Sequence, residues 1–162
     1  MSITTKTFVL RLISMAILIA VAVSIFVLSA QPANKSKQTS DKVVQIAEKI
    51  PGINNMLPDK KYKKAEKIRD LAHMGLYLLL GMSCAVFAFT FSLPRFTHPL
   101  LSTLACGLFS VGDEWHQKFV DGRSWEARDL GNDAIGYIVG IAAVAIVYYT
   151  IYYVINLRRN KL

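Results

Sequence analysis

Apolar and polar positions in this chain fall into long blocks. Residues 12–30 carry no charge, and further apolar runs follow at 71–93, 97–112 and 134–157. Most approach the ~20 residues that a helix needs to cross ~30 Å of hydrocarbon. The pattern predicts an all-α membrane protein: a four-transmembrane-helix bundle with a short amphipathic helix in its first long loop. The expected spans are about 12–30, 71–93, 97–118 and 130–157, joined by the loop 31–70. The first run exceeds the 7–15-residue core of a signal peptide, and Leu28-Ser29-Ala30 is a weak cleavage site, so it reads as an uncleaved span.

The polar blocks predict how these helices start and stop. Pro32 lacks an amide hydrogen and restricts Gln31, so the first helix should end there. Thr39 or Ser40 is expected to cap the loop helix, with Asp41 in its first turn. Val43, Ile46, Ala47 and Ile50 then form one apolar face, and Pro51-Gly52 stops the helix. Residues 58–69 are strongly basic and read as a short helix leading into the second span. Residues 94–98 form a tight connection with His98 as a loop residue, and Pro99 suits the first turn of the third helix. That helix has only about 14 apolar residues before Asp113, too few to cross ~30 Å at 1.5 Å each. It should therefore carry its polar end at the membrane boundary. Asp121-Gly122 signals a turn, and Ser124 is expected to cap the fourth helix with Glu126 in its first turn. Tyr148, Tyr149, Tyr152 and Tyr153 read as an aromatic belt at the far end.

Composition agrees with a membrane class: 162 residues, 53% hydrophobic, with a mean hydropathy of +0.36. Little length is left for a separate soluble domain, so residues 1–162 are expected to form a single membrane domain. The net charge of +8 suggests membrane lipids, anionic ones included, or an anionic head group as partner. The plainer alternative is that lysines simply flank the spans. No nucleic acid is expected. Six basic residues fall on the side of the termini and thirteen on the other side, so counting alone places the latter in the cytoplasm, whereas the acids Asp41, Glu48, Asp59, Glu66 and Asp70 of loop 31–70 favour termini inside. Cys84 and Cys106 match no metal or redox spacing and read as small buried apolar residues.

The candidate chemistry lies in residues 110–140, dense in acid, base and amide groups between apolar helices. Asp113 and Gln117 share a helix face, as do Glu114 and Gln117, while Trp115 and His116 point elsewhere. In the last helix Asp129, then Asn132 or Asp133, lie above Gly136 and Gly140, a small-residue stripe suited to close helix packing. Arg69, His73 and Tyr77 lie near one face of the second span. Antiparallel spans bring Arg69 and His73 beside Asp113, Glu114, Gln117, Arg123, Asp129 and Asn132. Arg69 or Arg123 is expected to pair with carboxylates. The group then serves either as an ion-pair cluster pinning the helices or as a membrane-edge pocket for a polar head group. His73 near Asp113 and Glu114 is a candidate for acid–base catalysis on a phosphoester. No metalloprotease, nucleophile-elbow or phosphate-loop motif is present, so no metal or cofactor is expected and a non-enzymatic role is favoured.

These motifs resemble the VanZ-like family of small bacterial integral membrane proteins. Ser29-Ala30-Gln31-Pro32 with Ser36 and Ser40 is similar to that family's first motif. Arg69, Ala72, His73, Tyr77 and Gly81 match a second. Asp113-Glu114, His116-Gln117, Phe119-Val120, Gly122-Arg123, Asp129, Asp133, Gly136 and Gly140 match a third. Asp70 stands where lysine is common in the family, and Asp121 where proline often precedes the Gly-Arg pair. The resemblance implies a multi-pass protein of the bacterial cytoplasmic membrane, acting at the cell envelope in teicoplanin-type glycopeptide resistance. A lipid or cell-wall precursor would be its partner. A membrane-embedded hydrolase or transferase on a lipid-linked phosphate, and a structural or assembly protein without a ligand, are the alternatives.

Overall fold

The computed structural model describes residues 3–50, 58 and 60–159. Among them the fold is all-helical: α1 (Ile3–Ser29), α2 (Ala33–Ala47), α3 (Lys61–Ala88), α4 (Thr97–Gln117) and α5 (Ala127–Arg159). Three of these, α1, α3 and α5, are long and apolar enough to cross a membrane. Helix α4 is 21 residues long but too polar to be counted with them by composition.

Helix α3 is the spine, since α1, α2, α4 and α5 all pack on it, with α5 making the most extensive contact. Glycine explains that contact. A Cβ on Gly140 would collide with the carbonyl oxygen of Leu78, and one on Gly136 with that of Met74. From the α3 side, a Cβ on Gly81 would strike the backbone of Tyr137. The two backbones therefore approach as closely as the Gly136–Gly140 spacing predicts. Ile25, Tyr77, Leu80, Cys84, Ala85, Cys106 and Ile141 form the apolar core around this crossing. Both cysteines are free and buried. Helices α1 and α5 lean on α3 from different sides and leave an apolar cleft of about 750 Å³ between them.

Several boundaries differ from the sequence expectations. The basic segment is not a separate helix but the first turns of α3, which runs unbroken from Lys61. Helix α2 begins at Ala33, directly after Pro32, because proline at the N-cap position needs no amide partner there. Ser40 is thus a mid-helix residue and not a cap. The face of α2 buried against the bundle is Ser40, Val44 and Ala47, whereas Val43, Ile46 and Ile50 are exposed. The expected stop at Pro51-Gly52 lies outside the described residues. Helix α5 begins at Ala127, with the Glu126 carbonyl accepting from the amides of Asp129 and Leu130, so Ser124 lies outside the helix.

The end of the bundle that carries the termini is closed by cations and aromatic rings. Arg11 donates from Nε and Nη2 to the carbonyl of Thr90 (3.2 and 3.0 Å) and lies over the Phe91 ring. His98 is buried within α4 and is not a loop residue. Its ring nitrogens lie 3.3 and 3.1 Å from the carbonyl oxygens of Arg95 and Phe91. The ring stacks on Phe89, which stacks in turn on Tyr148. Helix α3 ends at Ala88, so the Phe91 carbonyl lies beyond it, and Pro99 has no N–H to give the Arg95 carbonyl one turn back; His98 meets both oxygens, joined at Arg95 by Tyr149 Oη.

Candidate functional site

The opposite end of the bundle is built on carboxylates. Asp113 and Glu114 reach it from the last turns of α4, and Asp129 and Asp133 from the first turns of α5. All four are at most 5% exposed. A buried carboxylate is tolerable only where donors meet it, and each of the four accepts its hydrogen bonds through a single oxygen.

Asp113 Oδ2 accepts from Ser29 Oγ (2.7 Å), Tyr77 Oη (3.3 Å) and Gln117 Nε2 (3.5 Å), joining α1, α3 and α4. Asp133 Oδ2 accepts from Ser110 Oγ (2.9 Å), and its Oδ1 lies 3.7 Å from His73 Nδ1. Asp129 Oδ2 accepts from Arg69 Nη2 (3.1 Å). Glu114 Oε2 accepts the backbone N–H of Glu126 (3.3 Å), just ahead of α5, where an acid also suits the helix dipole. The second oxygen of each, Asp113 Oδ1, Glu114 Oε1, Asp129 Oδ1 and Asp133 Oδ1, is sealed from solvent and accepts no hydrogen bond among the described residues. The core thus holds more acceptors than the surrounding side chains supply donors.

The loops above this core are clasped together. The Ala33 amide donates to the Asp121 carbonyl (3.1 Å), tying the α1–α2 turn to the α4–α5 loop. Gly122 follows with φ of +72°, a conformation that disfavours a side chain, and a Cβ there would lie 3.1 Å from Ala33 Cβ. Arg123 completes the clasp by donating from Nε to the Gln31 carbonyl and from Nη1 to Gln117 Oε1, both at 3.1 Å. It makes no ion pair among the described residues; of the two arginines expected to pair with carboxylates, Arg69 is the one that does, with Asp129. Burial, and behind it the positive charge of Arg69, lower the pKa of Arg123.

The expected grouping is realised for Arg69, His73, Tyr77, Asp113, Glu114, Gln117, Arg123 and Asp129. Of the two alternatives on α5, Asp133 faces the core. Asn132 instead lines an outer cleft with Asp70 and Arg128. His73 faces Asp133 and not Asp113 or Glu114 as its nearest acid. His116 turns toward α1, its ring 4.5 Å from that of Phe26. Among the described residues, no three His, Cys, Asp or Glu side chains converge as metal ligands would.

Three contributors join the site that are not among the candidates drawn from the sequence, one of them the first residue of the Ser29-Ala30-Gln31-Pro32 motif. Ser29 and Ser110 donate to the core acids, and Ser110 lies three residues before Asp113 on the same helix face, which was a usable signal. Arg128 is the centre of the outer ion pairs. It contacts Glu66 closely, Glu126 at 3.2 Å, Asp129 at 3.7 Å and Asp70 at 3.9 Å. The i, i+4 pair Glu66 and Asp70 marks the α3 face that receives it.

A cleft of about 290 Å³ opens beside this core, between one face of α2, the first turns of α3 and residues 126–128. Arg69 belongs to both: it holds Asp129 inside and lines the cleft outside.

No curated protein and no solved structure matches this chain. A family model described as VanZ/LLP1 matches residues 14–149, which takes in α2, α3 and α4 whole, most of α1 and α5, and every residue of the polar core. The chain belongs to the VanZ/LLP1 family.

Proposed function

We propose that this protein is a four-span protein of the bacterial cytoplasmic membrane that holds a polar head group at the cleft beside its carboxylate core. The head group belongs to a lipid or a lipid-linked cell-wall precursor. Counting α4 as the fourth span rests on its length and on where its polar groups lie. Twenty-one residues reach about 31 Å. Ser102, Ser110, Asp113, Glu114 and Gln117 are all buried in the bundle, so lipid does not meet the groups that lower its hydropathy.

The observation that carries the binding role is the placement of Arg69. Its guanidinium is fixed from within by Asp129, and the remainder stands at the wall of an open cleft. A side chain held by a buried partner is pre-organised to receive a ligand. The family resemblance extends this to glycopeptide resistance, in which a captured precursor would be less available to a teicoplanin-type antibiotic. Expression in a sensitive strain should then raise the inhibitory concentration of teicoplanin. Arg69→Gln at equal abundance should return it to the level of the empty vector. Unchanged susceptibility with the wild type overturns the resistance role, and full protection by Arg69→Gln overturns the role of the cleft.

The burial of the four acids supports a second reading, in which the core only pins the helices together. Arg69→Gln would then reduce abundance and protection in parallel.

A further inference from the structure

The cleft has a chemical character opposite to that of the core beneath it. Helix α2 presents Ala33, Ser36, Lys37 and Ser40 to it at i, i+3, i+4 and i+7, a single face. Helix α3 answers with Tyr62, Ala65, Glu66 and Arg69 at the same spacing. The alanines and serines keep the two helices from filling the space between them.

The acids on its wall are already engaged. Glu66 and Glu126 both hold Arg128, which also reaches Asp70 and Asp129. What remains is a set of donors. Lys37 is exposed and has no ion-pair partner among the described residues. Arg69 uses one nitrogen on Asp129 and keeps the others. Ser36, Ser40 and Tyr62 contribute hydroxyls. Ser40 is only 8% exposed, yet its hydroxyl makes no hydrogen bond among the described residues and is not sealed in the interior. A buried hydroxyl that opens onto a cleft and lacks a partner is fitted to a ligand.

Lysine, arginine and hydroxyl donors around a small volume are the complement of a phosphate: arginine gives paired N–H groups and lysine a mobile charge. Helix α2 also sits where a lipid phosphate would be. Its exposed apolar residues Val43 and Ile46 lie roughly a quarter-turn from the Ser40–Val44–Ala47 face that packs on the bundle, at about 100° per residue, and Ile50 is exposed just beyond its end. That is the arrangement of a helix lying in the head-group layer with one side on the protein and the adjacent side in lipid.

We infer that the α2–α3 cleft is a phosphate subsite, in which Lys37, Ser36, Ser40, Tyr62 and Arg69 hold the phosphate of an anionic lipid head group or of a free phosphate ester. This rests on the head-group role proposed above and names its ligand class. The acceptor-rich core does not touch the phosphate; it fixes Arg69.

The test uses the full chain in detergent, with phosphatidylglycerol and monoglucosyldiacylglycerol added at equal concentration and bound lipid counted by native mass spectrometry. The wild type should retain phosphatidylglycerol several-fold over the glycolipid. The double variant Lys37→Gln, Ser40→Ala should lose that preference while eluting as the same monodisperse peak with the same helical circular dichroism as the wild type, which shows that it is folded. sn-Glycerol 3-phosphate that displaces phosphatidylglycerol assigns recognition to the phosphate ester itself, and failure to displace assigns it to the lipid-borne head group. A double variant that keeps the wild-type preference overturns the subsite and leaves the head-group role standing. A wild type without any preference overturns the subsite, and equal failure to bind either lipid overturns the head-group role as well.

Discussion

The two ends of the bundle face the same problem, helices that stop near the membrane boundary with polar backbone to satisfy, and solve it with different chemistry. At the end carrying the termini, Arg11 and His98 meet the carbonyls of Thr90, Phe91 and Arg95, and the rings of Phe89, Phe91 and Tyr148 cover them. No acid takes part in these contacts. At the other end four buried acids meet serine, tyrosine, glutamine, arginine and backbone donors, and each keeps one oxygen without a hydrogen bond among the described residues, those of Asp129 and Asp133 facing Arg128 and His73 at 3.7 Å. The first arrangement does no more than closure requires. The second holds acids that closure alone does not need, and buried acceptors left without any partner, as Asp113 Oδ1 and Glu114 Oε1 are among the described residues, are costly, at about 1–3 kcal/mol each. An end that departs from the economical solution visible elsewhere in the same molecule is the end to assign a function.

The comparison fails altogether if the α3–α5 crossing is removed, because both ends depend on it. Gly140→Leu should drive a side chain into the Leu78 carbonyl and remove most of the folded protein, read as loss of the monodisperse peak in detergent. Wild-type yield from this variant would mean that the glycine contact is not what sets the helix spacing. A sharper contrast comes from one substitution at each end. His98→Ala should lower stability by roughly 1–2 kcal/mol through lost stacking and carbonyl contacts, with lipid preference unchanged. Asp129→Asn should show the reverse: a smaller shift in the unfolding midpoint, and several-fold weaker retention of phosphatidylglycerol as Arg69 loses its anchor. Similar effects on both readouts from both variants would erase the distinction between the ends. The smallest effect is expected at Arg128, about half exposed among its four acids. Arg128→Gln should cost under about 1 kcal/mol, and the difference should vanish in 1 M salt.

Much of this arrangement was legible in the sequence because helix periodicity carries it. Arg69, His73 and Tyr77, and then Asp113 and Gln117, share faces by spacing alone, and the antiparallel order of spans brings those faces together. The Gly136–Gly140 contact is legible for the same reason. What periodicity does not carry is the choice among donors once the faces meet. Spacing leaves open whether Arg69 or Arg123 takes a carboxylate; Arg69 takes Asp129, and Arg123 goes to the carbonyl of Gln31 and the amide oxygen of Gln117, because serine and tyrosine hydroxyls already serve Asp113. His98 beside a proline reads as a loop residue, but the Phe91 carbonyl beyond α3 and the Arg95 carbonyl ahead of α4 draw it inward. The start of α2 was misplaced because Ser40 has the chemistry of a cap. Its hydroxyl is directed instead to the cleft between helices, a tertiary feature that no local pattern announces.

The clasp between the α1–α2 turn and the α4–α5 loop has a consequence for timing. Ala33 meets Asp121 and Gln31 meets Arg123 across about 90 residues of chain. A ribosome adding 5–20 residues per second needs about 5–18 s to supply the second partner after the first has emerged. During that interval the C-terminal end of α1 has neither its Asp113 nor its Arg123, and α2 lacks the strap that later holds it down. The polar end of the bundle is therefore completed only when the α4–α5 hairpin arrives, and a nascent chain that stalls before residue 121 has only its apolar helices to keep it in the membrane.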